Sequence, residues 1–249
     1  MTKKLYVICG HGAGDPGSCG GGKSEADLVR KLAKKMAAVN PNVVALDTAR
    51  NWYVDGGVNA SLKKKIGSNP VIELHMDSAS ASAKGGHVII CSGLSADKED
   101  MALASYIAKQ FPGRSNSIAK RSDLANPKRA KAQGINYRLL ECCFISNKSD
   151  REKFIGNMGS IAKGIVGCFG LDSAETAYKV VKDGLWVWDA PGKGTRKLKR
   201  LKAGQKLKVV STQTKDGNLW ASYVSSATGK TRWFKIKSAD GKKVYAKKA

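Results

Sequence analysis

The chain has 249 residues, 42% of them hydrophobic, and 44 Lys and Arg against 20 Asp and Glu, a formal charge of +24. That hydrophobic content excludes a disordered basic tail, and the length allows one large domain or two smaller ones. No apolar run approaches the roughly 20 residues of a membrane-spanning helix, so no membrane insertion is expected.

The charge is uneven. Residues 1–172 hold 25 basic and 15 acidic side chains, and residues 173–249 hold 19 and 5, so the two parts carry +10 and +14. Such a chain attracts polyanions; nucleic acid, an anionic membrane surface and an anionic cell-wall polymer all qualify. Lys3 and Lys4 are followed by only five apolar residues, Leu5 to Cys9. A secretion signal needs an apolar core of roughly 7–15 residues, so synthesis in the cytoplasm without an export signal is expected.

Lys4–Cys9 reads as a short buried strand, and the Gly-rich residues 10–22 as a loop. Ser24, with Asp27 three residues on, caps a helix whose apolar stripe is Leu28, Leu32 and Met36; Asn40-Pro41 ends it. Val43–Leu46 is a strand and Asn59–Ile66 a short helix with exposed lysines. Val71–Met76 and Gly86–Cys91 are strands, and Asp97–Phe111 is a helix. Tyr137–Phe144 is another strand. Ser149 with Glu152 reads as a second capping box, opening a helix to about Phe169. Alternating strands and helices predict an α/β fold, a mixed sheet flanked by helices on both faces. The six cysteines, at 9, 19, 91, 142, 143 and 168, form no CxxC pair, and several sit in apolar runs. They read as buried free thiols in a reducing compartment, with Cys142 and Cys143 on opposite faces of their strand.

Asp172–Thr176 reads as a linker. Beyond it come short apolar or alternating runs, Tyr178–Val181, Leu185–Trp188, Leu207–Val210, Leu219–Val224 and Arg232–Ile236, separated by turn signals such as Pro191-Gly192 and Asp216-Gly217. Short strands at this spacing predict a small all-β barrel. Four of the five tryptophans, Trp186, Trp188, Trp220 and Trp233, fall here. They are either barrel core or a binding platform, and a mixture is expected.

Only three histidines occur. His11 follows the first strand directly, and His75 ends a second, in Glu73-Leu-His75-Met-Asp77. Ligands collect at the carboxyl ends of strands in open α/β sheets, so two such histidines can converge. Glu25, in the first turn of the helix after the His11 loop, returns toward the same rim. Glu141 lies in the apolar strand Leu139–Phe144, where a carboxylate is costly unless paired or bound to a metal. Two His and a carboxylate are a common catalytic zinc set, and a second carboxylate can then serve as base. Each residue also has a plainer reading. A strand-end histidine can be a hydrogen-bonded structural residue. An acid suits the first helical turn through the macrodipole. Glu141 can be half of a buried ion pair, with Arg138 or a neighbouring lysine.

Four pieces occur in one order: His11-Gly-Ala-Gly-Asp15-Pro-Gly17, Glu25-Ala-Asp-Leu28, Glu73-Leu-His75-Met-Asp77 and Leu140-Glu141-Cys-Cys-Phe144-Ile-Ser146-Asn147. Over residues 4–170 the chain resembles the zinc-dependent N-acetylmuramoyl-L-alanine amidases of the Amidase_3 type. The resemblance implies one zinc ion per chain held by His11, Glu25 and His75, with Glu141 as the catalytic glutamate. The implied reaction is hydrolysis of the amide between N-acetylmuramic acid and the L-alanine of peptidoglycan. Asp15 and Asn147 match recurrent positions. Glu73 departs from the family, where a small hydroxyl residue is usual, and Asp77 stands where Asn is often found. Either acid can support a ligand histidine or alter substrate choice, and His87 can lie near the site or be structural.

Residues 177–249 resemble a bacterial SH3-type wall-binding module, through Gly184-Leu-Trp186-Val-Trp188-Asp-Ala-Pro191, Leu201–Val209 and Thr231-Arg-Trp233-Phe. The expected organisation is therefore a catalytic domain over 1–171, a linker over 172–176 and an SH3-like barrel over 177–249. The expected partners are peptidoglycan and anionic wall polymers of a Gram-positive host, and the expected role is that of a phage endolysin released to the wall at lysis. A bacterial autolysin, a wall metallopeptidase with the same zinc set and a non-catalytic wall-binding protein are the alternatives. Nucleic-acid binding is disfavoured, because no strand reads as carrying the closely spaced exposed aromatics of a base-stacking sheet.

Overall fold

The computed structural model describes residues 3–171 and 176–249. The linker expected at Asp172–Thr176 therefore lies outside the described residues, apart from Thr176, which begins a strand. The chain divides into two compact units, residues 1–173 and 174–249. Among the described residues no helix is long and apolar enough to cross a membrane.

The first unit runs β1 (Leu5–Cys9), β2 (Cys19–Gly20), β3 (Lys23–Ser24), α1 (Glu25–Val39), β4 (Val43–Ala45), α2 (Ala60–Ile66), β5 (Val71–Asp77), β6 (His87–Cys91), α3 (Lys98–Gln110), β7 (Ile118–Arg121), α4 (Ala125–Ala132), β8 (Tyr137–Phe144) and α5 (Lys148–Cys168). Six strands form one sheet in the order β4-β1-β5-β8-β6-β7. All neighbours are parallel except β6 and β8, so the sheet is mixed. Helices cover both faces. Under α1, α3 and α5 lie Leu28, Leu32, Met36, Ile107, Phe154 and Ile165 with the strand residues Leu5, Val7, Leu74 and Leu140. The opposite face packs Tyr6, Ile8 and Leu139 against Leu62 and Ile66 of α2 and Ala130 of α4. Each fully buried Leu, Ile, Val, Met or Phe among these contributes about 1.5–3 kcal/mol through removal from water.

The helix starts follow local chemistry. Ser24 accepts a hydrogen bond from the Asp27 N–H at 3.2 Å, as its spacing predicts. At α5 the cap is Asn147, whose Oδ1 accepts from the Asp150 N–H at 3.1 Å. The Ser149/Glu152 capping box expected there does not form, because the chain enters the helix two residues earlier. Four elements of this unit went unread: the two-residue strands β2 and β3, the strand β7, and α4. That helix begins Ala-Asn-Pro-Lys, has no side-chain cap and buries only three residues. Its Pro127 is tolerated because it falls in the first turn, where an N–H has no helical partner. Cys142 and Cys143 do not face opposite sides; both join the core beneath α1, α3 and α5. The β5–β8 ladder shifts register between His75 and Asp77, which breaks strict alternation there. No disulfide forms among the described residues; Cys9, Cys91, Cys142 and Cys143 are buried, while Cys19 is exposed.

The second unit is all β: β9 (Thr176–Val180), β10 (Leu185–Trp188), β11 (Lys197–Leu201), β12 (Lys206–Val209), β13 (Ser211–Lys215), β14 (Asn218–Val224), β15 (Thr231–Lys237) and β16 (Ala246–Lys248). They form antiparallel sheets in the orders β11-β10-β15-β14-β13 and β12-β9-β16. β11, β13 and β16 were not anticipated because their residues are mostly charged or polar, so no apolar alternation marks them. The interior gathers Val180, Leu185, Val187, Ala221, Tyr223, Phe234 and Ile236.

Candidate metal centre

β1 runs out at Gly10, where an added Cβ would lie 2.3 Å from His75 Cε1. Only glycine allows the two chain segments this close. His11 and Ala13 then adopt φ of 58° and 50°, left-handed geometry that L residues hold only when their surroundings force it. Arg30, on α1, supplies that force. Its Nη1 donates to Gly10 O (3.0 Å) and Ala26 O, its Nη2 to His11 O (2.9 Å), and its Nε to Thr48 O. Asp15 fixes the His11 ring: Oδ2 lies 2.8 Å from Nδ1, while Oδ1 accepts the Gly17 N–H and Asn51 Nδ2 donates to Oδ2.

Glu25, 2% exposed, sits at the first position of α1. Its Oε1 lies 2.9 Å from His75 Nδ1 and 3.2 Å from His11 Nε2. The Met76 N–H also donates to Oε1, and the Ser18 N–H to Oε2. The remaining nitrogen of His75, Nε2, lies 3.0 Å from Glu73 Oε1. Glu73 is in turn held by Asn126 Nδ2, which donates to both its oxygens (3.1 and 3.0 Å), and by the Tyr137 hydroxyl. One ligand atom each from His11, Glu25 and His75 lies within 4.8 Å of the others.

This arrangement fits a divalent cation. Each histidine turns one nitrogen to the common point and the other to its own carboxylate, Asp15 or Glu73. That is how ligand histidines are oriented. The electrostatics agree. His11 is raised above its ordinary pKa, chiefly by its hydrogen bond to Glu25. Burial would lower His75, but Glu25 and Glu73 outweigh it and leave it raised. Burial would raise Glu25, but both histidines hold it down at about 2. The pocket favours positive charge at its centre.

Glu141 pairs in register with His75 on one side and His87 on the other. Its Oε2 is buried and has no hydrogen-bond partner. Burial pushes its pKa up to about 7, against the opposing charge of His75. The ion pair with Arg138 does not form. Arg138, fully buried, binds Asp100 Oδ1 (2.8 Å) and Asp97 Oδ2 (2.9 Å) at the start of α3. Asp77 pairs with Arg114, whose guanidinium lies 4.3 Å over the Phe144 ring. His87 is buried, its Nδ1 unpartnered and its pKa lowered by burial. Asn147 is a helix cap that also donates to Ala81 O.

A cleft of ≈ 370 Å³ opens on this centre, lined by His11, Asp15, Tyr53, Glu73, His75 and the start of α4 among others. Arg30, Asn51, Asn126, Tyr137 and Arg114 escaped sequence reading. Asn126 and Tyr137 were legible only as companions to the unusual Glu73, and nothing local marked Arg30 or Arg114.

In the second unit none of the four tryptophans joins the interior cluster. Trp186 and Trp188 alternate with buried Leu185 and Val187 on β10 and are both partly exposed. Trp188 pairs in register with Trp233 and packs edge-on against Trp220, with centroids 5.8 Å apart. Trp220 is buried, packed against Trp188, with Lys235 Nζ 5.3 Å from its ring centroid.

Comparison with known proteins gives the following. Residues 5–167 match the family model described as N-acetylmuramoyl-L-alanine amidase. The chain is 34% identical over 183 residues to "Probable autolysin PH" of Staphylococcus aureus, a match covering 66% of this chain and 38% of that relative's length. An N-acetylmuramoyl-L-alanine amidase of Clostridium difficile 630 superposes with a TM-score of 0.56 at 20% identity, over 67% of this chain and 94% of that one. The catalytic domain of the CD27L endolysin, described as targeting Clostridia difficile, gives 0.52 at 21% identity, over 68% and 97%. At these identities the structural likeness establishes a shared fold.

Proposed function

The chain belongs to the N-acetylmuramoyl-L-alanine amidase family, and from that premise we propose that it hydrolyses the amide joining N-acetylmuramic acid to L-alanine in peptidoglycan. The observation that carries this reading is the convergence of His11, Glu25 and His75 within 4.8 Å, beside a buried, unpartnered Glu141 carboxylate. His11 Nε2, His75 Nδ1 and a Glu25 oxygen would hold one zinc ion. When bound, that ion supplies Lewis-acid polarisation of the scissile carbonyl and a lowered pKa for water. Glu141, with a pKa near neutrality, takes the proton of the attacking water and returns it to the leaving amine of L-alanine. Asp15 and Glu73 keep the two imidazoles from rotating, so the reacting atoms meet fixed groups. The cleft beside α4 receives the substrate.

We further propose that residues 177–249 form an SH3-like barrel binding the wall of a Gram-positive host. Its 19 basic against 4 acidic side chains and the partly exposed Trp186 and Trp188 support this. The role proposed is that of a phage endolysin, made in the cytoplasm and acting after release. The match to a relative named an autolysin keeps the autolysin role as a second reading. The chain spans 38% of that relative's length.

Digestion of purified Gram-positive wall tests the chemistry. New amino-terminal L-alanine, lost on chelation and restored by zinc, is the expected result. New amino termini elsewhere in the peptide would make the protein a metallopeptidase, and activity from metal-free protein would end the zinc reading. Production inside a Gram-positive cell tests the role: an endolysin spares the culture until the membrane is permeabilised, whereas an autolysin reaches the wall in an intact cell.

A further inference from the structure

The second unit contains a pocket of ≈ 230 Å³ beside β10, lined by Lys182, Asp183, Trp186, Trp188, Lys235 and Tyr245 among others. Its walls are largely aromatic, and its charged lining is Lys182, Lys235 and Asp183. Asp183 is already engaged, its Oδ1 accepting the Ala203 N–H at 2.7 Å. Cations and rings interleave on the same face. Lys197 Nζ lies 5.2 Å from the Trp186 centroid and 5.4 Å from that of Trp188. The Arg200 guanidinium lies 4.5 Å from Trp186, and Lys235 Nζ lies 5.3 Å from Trp220 and 5.9 Å from Tyr245.

Tryptophans ordinarily serve a small β unit as core. Here the interior is closed without them, by Val187, Tyr223, Phe234 and their neighbours. Keeping Trp186 and Trp188 partly in water forgoes the gain of burying them fully, so their placement needs another reason. A flat aromatic surface takes the apolar face of a ring, and the ammonium groups beside it take an anion. The pocket has room for one ring-sized unit and not for a folded partner. The surrounding residues 173–249 carry 19 basic and 5 acidic side chains, which complements a chain with repeated negative charge.

We propose that this pocket binds a sugar-bearing polyol phosphate of the cell wall, the sugar ring against Trp186, Trp188 and Tyr245 and the phosphate between Lys182 and Lys235. The proposal rests on the reading that the chain acts on walls.

The test uses the full chain carrying Glu141→Gln, so that the wall is not consumed during binding. Retention is measured on intact walls and on walls stripped of phosphate polymers with hydrofluoric acid. Tryptophan fluorescence is titrated with purified glycosylated poly(glycerol phosphate), with the unglycosylated polymer and with oligo(dT). Stripping should lower retention by about tenfold or more, and loss of the sugar should weaken the polymer by about tenfold, as expected for one lost stacking contact. Trp186→Ala with Trp188→Ala should mimic loss of the sugar. Lys182→Gln with Lys235→Gln leaves the aromatic packing in place and should weaken both polymers. Equal retention on stripped walls, unchanged binding by the lysine pair, or tighter binding of oligo(dT) than of either polymer would overturn the proposal. Cleavage of soluble muropeptides by the chain with Glu141 intact is read separately. Its absence would defeat the amidase reading without touching these binding results.

Discussion

Glu73 braces one of the two histidines of the candidate metal centre, and its replacement by Gln is a sharp test of how that centre is held. In the structure one oxygen of Glu73 lies 3.0 Å from His75 Nε2, and both oxygens accept from Asn126 Nδ2, at 3.1 and 3.0 Å, with the Tyr137 hydroxyl on the second. Every neighbour of the carboxylate is therefore a donor. Gln offers one acceptor oxygen and one NH2 group, so its nitrogen must face either His75 Nε2–H or the Asn126 and Tyr137 donors. Whichever way it turns, one buried donor is left without an acceptor, which costs about 1–3 kcal/mol. If the loss falls on His75, the ring is free to rotate and Nδ1 leaves the metal point. Loss of such an outer partner weakens metal binding by about 10–100-fold, or about 1.4–2.7 kcal/mol. Competition against a chromogenic chelator at fixed pH measures this directly on the purified protein, without reference to catalysis. Asn126→Ala, which leaves the carboxylate but removes its tether, should fall between the parent and Glu73→Gln. Zinc affinity within twofold of the parent for Glu73→Gln would refute the brace.

Three further outcomes follow from the same geometry. Glu141→Gln should lower the rate of wall cleavage by about 10²–10⁴-fold while zinc content by elemental analysis stays at one per chain; loss of zinc would instead make Glu141 part of the metal shell. Arg138→Ala should destabilise the first unit by about 3–5 kcal/mol, because Asp100 and Asp97 would lose their buried partner; thermal unfolding reads this, and an unchanged midpoint would mean the pair contributes nothing. Raising salt should weaken retention on walls more than it slows cleavage of small muropeptides, since screening acts on the exposed +14 charge and spares the buried site; equal losses would place wall attraction elsewhere.

The sequence by itself determined a good deal of this protein. Apolar periodicity marked α1 and α3, because one helical face must be buried; a cap signal marked α5, and unbroken apolar runs marked the buried strands β1, β5, β6 and β8. It placed His11 and His75 directly after or at strand ends and Glu25 one position after its cap, and from there their convergence follows once the strands are parallel neighbours. It also singled out Glu73 and Glu141 as carboxylates in apolar strands. What it lacked was any sign of their partners. Arg138 and Glu141 are three residues apart on β8, yet Arg138 is neutralised from α3 and Glu141 faces the histidines, a choice made by which helix packs over which strand. Asn126 comes from α4, a short helix with little apolar patterning, whose place is set by contact with β6 and β8 and not by its own preference. The two cysteines share one face because a register shift at His75–Asp77 intervenes, and Trp186 and Trp188 stay partly exposed because other residues already fill the interior. Local chemistry fixes an element and the faces it can offer; long-range packing decides which face is covered and which buried charge finds which partner, and at this site those pairings decide which atoms of His11 and His75 are free to bind.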